Sequence, residues 1–191
     1  MGAKIILASN SPRRKELLTQ IGLSFTVAPA DVNEAVRQGE TPEACASRLA
    51  LDKARAVAQR AGEGIIIAAD TIVAVDGSVL GKPSDAADAR RMLEKLSGKE
   101  HSVVTGLAVV DAETGRSLVR TSVTKVLFRD LSQREIDAYV ATGEPLDKAG
   151  SYGIQERGAL LVERIEGCYS NVVGLPLSLL GEMLREFGIP L

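Results

Sequence analysis

Tryptophan is absent, aromatic residues are 3% of the 191, and there is one histidine, His101. So few aromatics exclude a stacking platform for single-stranded nucleic acid. One histidine removes most His-based metal sites and any Ser-His triad that needs a second histidine. His101 itself fits a surface residue at the start of a strand. The two cysteines, Cys45 and Cys168, lie far apart and lack paired-ligand spacing. Met1-Gly2-Ala3-Lys4 leads into only a short apolar run, so the expected setting is a reducing cytoplasm. The longest apolar stretches, such as residues 64–69 and 71–75, fall well short of the ~20 residues that cross a bilayer. No membrane partner is expected. An excess of positive charge is missing too: 23 Lys and Arg face 25 Asp and Glu, a net charge of −2. That argues against coating nucleic acid, so any bound anion must be held by a local cluster of cations.

What remains is ordinary globular usage, 45% hydrophobic and 25% charged, which excludes disorder. The length suits one sizeable domain or two small lobes, since domains run to roughly 100–200 residues. No repeat or linker divides it, so residues 1–191 are expected to form a single domain.

Lys4–Ala8 has the pattern of a buried strand, then Ser11 and Pro12 open a helix over roughly Pro12–Ile21 that Gly22 ends. Ser24–Ala28 is a second short strand, and Asp31–Glu40 a polar loop. Thr41 and Pro42 open a long helix to about Arg60. Ile65–Val75 is an apolar strand with Asp70 and Thr71 inside it, returning through an Asp76-Gly77 hairpin into Ser78–Leu80. Ser84 is the expected cap of a helix to about Leu96. Strands over Ser102–Asp111 and Ser117–Phe128 follow. Ser132 and Glu135 form a capping box for a helix ending near Thr142-Gly143. Residues 150–155, 158–165 and 169–173 supply loop and strand, and Leu175–Phe187 is a last helix. Strands interleaved with helices, plus a hairpin, predict an α/β fold with a mixed, twisted sheet flanked by helices.

Several charges sit where a purely structural role is costly. Arg13, Arg14 and Lys15 occupy the first turn of a helix, against its macrodipole, at about 0.3–1 kcal/mol each when exposed. An anion bound there reverses that penalty, so strand, Ser9, Ser11-Pro12-Arg13-Arg14 and helix form a phosphate cradle; three side chains splayed into water are the alternative. Asp70, inside an apolar strand, must be paired, hold a metal or serve as a base. Lys53 borders the apolar stripe of its helix, a position open equally to a snorkelling lysine. Lys82 follows the hairpin that Asp70 enters, and Glu34 lies in the polar loop. Arg13, Arg14, Lys53 and Lys82, with the hard carboxylates of Asp70 and Glu34, suit a triphosphate carrying a divalent ion, because Mg²⁺ binds one or two carboxylates plus substrate phosphates. The Gly-Lys-Ser/Thr P-loop is absent, since Pro83 follows Gly81-Lys82, and so is the Rossmann glycine pattern.

Residues 7–18, Leu-Ala-Ser-Asn-Ser-Pro-Arg-Arg-Lys-Glu-Leu-Leu, resemble the opening signature of the Maf family of nucleoside triphosphate pyrophosphatases. The likeness continues through Ala69-Asp70-Thr71, Leu80-Gly81-Lys82-Pro83, Val103-Val104-Thr105-Gly106, residues 144–155 and Asn171–Pro176, so it spans essentially the whole chain. The resemblance implies two lobes around a cleft, as in inosine triphosphate pyrophosphatases, and often a homodimer. It implies hydrolysis of a nucleoside triphosphate to monophosphate and pyrophosphate, with Mg²⁺ or Mn²⁺. Asp70 matches the proton acceptor, and Ser9, Arg14, Glu34, Lys53 and Lys82 match other cleft positions. Glu34 and Asp70 are the metal-ligand candidates; whether Asp70 is base, ligand or both stays open. Asn33 stands where an acidic residue is frequent, and Glu156 where glycine is common. In the branch similar to 7-methyl-GTP pyrophosphatases, the positions of Arg13, Thr71 and Gln155 tend to be Trp, Gln and Glu, suited to a cationic purine. The residues here match dTTP and UTP instead: arginine repels a methylated guanine, and a glutamine amide pairs with uracil or thymine. The competing readings are 7-methyl-GTP specificity and a non-catalytic nucleotide-binding regulator of cell division.

Overall fold

The structure is a computed structural model that describes residues 3–190. In chain order it contains β1 (Ile5–Leu7), α1 (Pro12–Gln20), β2 (Thr26–Val27), α2 (Pro42–Ala61), β3 (Ile65–Val75), β4 (Ser78–Leu80), α3 (Ala86–Leu96) and β5 (Glu100–Asp111). There follow β6 (Ser117–Phe128), α4 (Gln133–Val140), β7 (Val162–Glu166), α5 (Tyr169–Val173) and α6 (Leu177–Glu186). Seven strands form one mixed sheet in the order β2-β1-β3-β5-β6-β7, with β4 paired to β3. β1 runs parallel to β2 and to β3, while β3–β4 and β6–β7 are antiparallel. The expected α/β class with a mixed sheet is what forms.

Local signals explain most boundaries. Ser11 accepts a hydrogen bond from the Arg14 amide and Thr41 from the Ala44 amide, each followed by proline at the first helical position. Ser132 and Glu135 complete both bonds of the capping box. Asp76 and Gly77 both adopt positive φ, 50° and 71°, as a two-residue hairpin loop requires. Two expectations differ. The cap of α3 is Asp85, not Ser84, because Asp85 Oδ1 takes the Asp88 amide at 2.7 Å while Ser84 bonds back to Asp88 Oδ2. Tyr169–Val173 is a short helix, and residues 149–151 form a 3-10 turn; their apolar residues pack against tertiary partners that spacing does not reveal.

The chain packs as two compact units. The first comprises the residues up to Asp70, 105–122 and those from Gly174 on. Its core sets Ile6 and Ala8, with Ile66 and Ala68 of β3, against Ala50, Ala54 and Val57 of α2. Alanines on α2 leave room for close approach, and Gly106 of β5 completes it: a Cβ there would overlap the Ala46 carbonyl and the Ser47 amide. The second unit comprises residues 71–104 and 123–173. There Ala89, Leu93 and Leu96 lie at helical spacing on α3 and pack with Val73, Val75 and Phe128.

Candidate active site

In the first unit the chain passes from β1 through α1 to β2 on one side, then through α2 to β3 on the other. Strand order therefore reverses at β1/β3, a topological switch point, and ligands of open α/β sheets bind beyond the carboxyl ends of such strands. Ser9 and α1 follow the carboxyl end of β1. Leu7 pairs with Ile67, so Asp70 lies three residues further along β3, past the last residue of β1. Register alone thus gathers Ser9, Arg14 and Asp70 at one end of this unit.

Side-chain geometry ties them together. Arg14 donates from Nε to the Gly174 carbonyl at 2.8 Å and from Nη1 to Ser9 Oγ at 3.3 Å. Ser9 Oγ also accepts from the Ser11 amide at 3.2 Å, so one hydroxyl organises the turn into α1. Burial pulls the Arg14 guanidinium below its usual pKa, and the carboxylates of Asp70 and Glu34 pull it back. Arg13 is half-buried beside it on α1.

Lys53 is buried, not snorkelling: the residue is 9% exposed. Its ammonium lies 2.5 Å from Asp70 Oδ1 and 2.5 Å from Glu34 Oε1. Asp70 and Lys53 side chains are 13% and 11% exposed, whereas Glu34 is 55% exposed. The cost of an acid in an apolar strand is therefore met by an ion pair from α2. Two hard oxygen donors converge on one cationic point, the donor set that suits a divalent ion. Among the described residues no group of three or more His, Cys, Asp or Glu could hold a metal by itself. A divalent ion here needs further oxygens, such as those of phosphates.

Sequence patterning did not indicate what holds Glu34 in place. Arg48 of α2 bonds Glu40 through two nitrogens, Nε to Oε1 at 2.6 Å and Nη2 to Oε2 at 2.8 Å, and also reaches the Ala35 carbonyl at 3.1 Å. This planar fork clamps the loop over residues 31–40 onto the helix that carries Lys53. Its hydrogen bonds from Arg48 lower the Glu40 pKa from 4.5 to about 2. A depressed carboxylate adds stability above its unfolded pKa, and that stability is lost as pH falls through the folded value. Glu40→Gln is therefore expected to melt below the parent at pH 7, the gap closing between pH 4.5 and about 2. A gap independent of pH in thermal melts would rule out this clamp.

Thr71, Lys82 and Gln155 belong to the second unit. Thr71 and Gln155 are half-buried and Lys82 is exposed. The Gly81 carbonyl, next to Lys82, accepts from the Gly150 amide at 3.0 Å. Glu156 has φ 54°, a left-handed conformation that glycine adopts freely, so the backbone itself explains why glycine suits this place. His101 corrects the sequence expectation of a surface residue. It is 2% exposed within β5, packed edge-on against Phe128 and Tyr152, with Nε2 2.7 Å from the Tyr152 hydroxyl. The strand begins one residue before His101, at Glu100, and inward alternation buries the ring.

The fold places the chain in a class. A solved HAM1 protein from Coxiella burnetii superposes with a TM-score of 0.57 at 18% identity, covering 96% of this chain and 99% of that one. The two chains share a mixed-sheet α/β fold. The chain itself belongs to the Maf family: the Maf-like protein model matches residues 4–187. Among curated relatives, the dTTP/UTP pyrophosphatase of Moorella thermoacetica is 54% identical over 187 residues, 98% of this chain and 96% of the relative. The proteins of the same description from Syntrophomonas wolfei subsp. wolfei and Symbiobacterium thermophilum are 50% and 52% identical, each covering at least 95% of both chains. Among the described residues no helix is long and apolar enough to cross a membrane.

Proposed function

We propose that this chain hydrolyses dTTP and UTP to the nucleoside monophosphate and pyrophosphate. The observation that carries the reading is the Lys53 ammonium held between Asp70 and Glu34 at the switch point, with Arg14 close enough to feel both carboxylates. Relatives at about half identity or better, described as dTTP/UTP pyrophosphatases, support the same reaction. Activity of this kind goes with a divalent cation, Mg²⁺ or Mn²⁺, which when bound would offset charge on the leaving pyrophosphate. Glu34 and Asp70 would hold it, with triphosphate oxygens filling the remaining positions.

Asp70 orients, and draws a proton from, a water directed at the α-phosphorus, while Lys53 fixes the carboxylate's direction. Arg14 and Lys82 grip the phosphate chain, and Ser9 sets the Arg14 guanidinium. Thr71 and Gln155 read the base, with Arg13 disfavouring a positively charged purine. The reading takes residues 1–191 as one functional domain acting in the cytoplasm as a homodimer.

The test is pyrophosphate release from dTTP, UTP, CTP and 7-methyl-GTP with Mg²⁺ or Mn²⁺, with and without EDTA. The expected outcome is turnover of dTTP and UTP that EDTA abolishes. Preference for 7-methyl-GTP rejects the base assignment; binding of dTTP without release from any of them leaves a nucleotide-binding regulator.

A further inference from the structure

The second unit contains a buried hydrogen bond that the proposed reaction does not use. His101 Nε2 and the Tyr152 hydroxyl lie 2.7 Å apart, and the two rings meet Phe128 edge-to-face at centroid distances of 5.0 and 4.7 Å. Both residues are nearly sealed, at 2% and 6% exposure. Burial lowers the His101 pKa to about 4, so the imidazole is neutral near pH 7. A neutral imidazole and a phenol share one such bond in either direction, Nε2 accepting from or donating to the Tyr152 hydroxyl according to the tautomer.

What Tyr152 anchors is a strained piece of backbone. Gly150 and Ser151 are both left-handed, φ 69° and 61°, and Ser151 is a fully buried non-glycine residue in that region. For a non-glycine residue that conformation is strained and persists only where the surroundings impose it. Here the turn brings Gly150 against Val73 so closely that a Cβ would lie 2.9 Å from Val73 Cγ1. The Gly150 amide bonds the Gly81 carbonyl at 3.0 Å, and Ser151 Oγ donates to Met92 Sδ at 3.0 Å. Val73 is two residues from Thr71 on β3, Gly81 precedes Lys82, and Gln155 is three residues beyond Tyr152. One strained turn thus touches the supports of all three residues that the second unit supplies.

We propose that His101 and Tyr152 are positioning residues for base recognition, their hydrogen bond holding the Gly150–Ser151 turn so that Thr71 and Gln155 keep a fixed spacing. This rests on the reading that Thr71 and Gln155 contact the pyrimidine. The phenol and imidazole touch no substrate atom. Their effect passes through the backbone from Tyr152 to Gln155, and through Gly150 to β3.

The test compares kcat/KM for UTP with that for CTP, whose base edge presents a different donor and acceptor pattern. Tyr152→Phe keeps the ring and removes one hydroxyl. It is expected to lower the UTP-to-CTP ratio about tenfold, as loss of a single buried hydrogen bond allows. The loss falls in KM for UTP, with kcat nearly unchanged. His101→Phe/Tyr152→Phe, which replaces both partners by apolar rings, loses no more than Tyr152→Phe alone, because the two act as one unit. Gln155→Ala runs in parallel as the check on the underlying reading. If Gln155→Ala lowers the ratio but Tyr152→Phe only shifts the melting temperature, the pair is merely structural and the proposal is overturned. If Gln155→Ala leaves the ratio intact, the base reading falls and the proposal falls with it.

Discussion

Asp70→Asn lowers kcat for dTTP by about three orders of magnitude, the middle of the 10²–10⁴ range that positioned proton transfer contributes. Asparagine keeps the size and an oxygen that can accept from Lys53, but it neither carries charge nor takes a proton. Glu34 still faces the Lys53 ammonium in the variant, since both carboxylates share that cation. The fold is therefore retained, at a cost of about 1–3 kcal/mol for weakening a charged hydrogen bond. A purely structural Asp70 predicts the reverse: a large loss of melting temperature with turnover of the folded fraction intact. Single-turnover kinetics with saturating dTTP and Mn²⁺, beside a thermal melt, separate the two. Wild-type turnover in Asp70→Asn rejects the assignment.

Gly106→Ala is the second large effect, and it acts on stability. The added methyl would overlap the main chain of Ala46 and Ser47 on α2, and backbone cannot swing away as the end of a side chain can. Overpacking costs typically 1–3 kcal/mol, and a main-chain obstacle places this site at the upper end, about 3 kcal/mol or more. Relief requires α2 to move off β5, and α2 carries both Lys53 and Arg48. Activity is thus expected to fall along with the melting temperature. Gly81→Ala is the matched control, because a Cβ there meets nothing within 4 Å and its φ is ordinary. That variant is expected to melt within about 1 kcal/mol of the parent, or slightly above it. Denaturant melts check both; equal stability of the two variants would remove Gly106 as the determinant of α2 placement.

The signals that mark the secondary-structure elements are local. Ser11-Pro12, Thr41-Pro42 and the Ser132–Glu135 box specify helix starts because an N-cap is satisfied within three residues. Asp76-Gly77 specifies its hairpin because the turn demands two positive φ values. Asp70 and the first-turn arginines stood out because each costs free energy where it stands unless something compensates it. Those costs are properties of one strand and one helix, so they are visible without a fold.

What compensates them is not visible in that way. The partner of Asp70 is 17 residues away, that of Arg14 Nε is 160 away, and Arg48 reaches back eight residues into an irregular loop. No periodicity links such pairs, and only the parallel pairing of β1 with β3 and the seating of α2 on Gly106 bring them into reach. His101 shows the same limit in reverse: a lone histidine near a strand start carries no mark of burial until Phe128 and Tyr152 arrive from distant segments. By itself the amino-acid order determined the class of fold, the capped ends and the residues whose charges needed an explanation. Tertiary structure decided which charge answers which, because ion pairs and hydrogen bonds act over a few ångströms of space, whatever their separation along the chain.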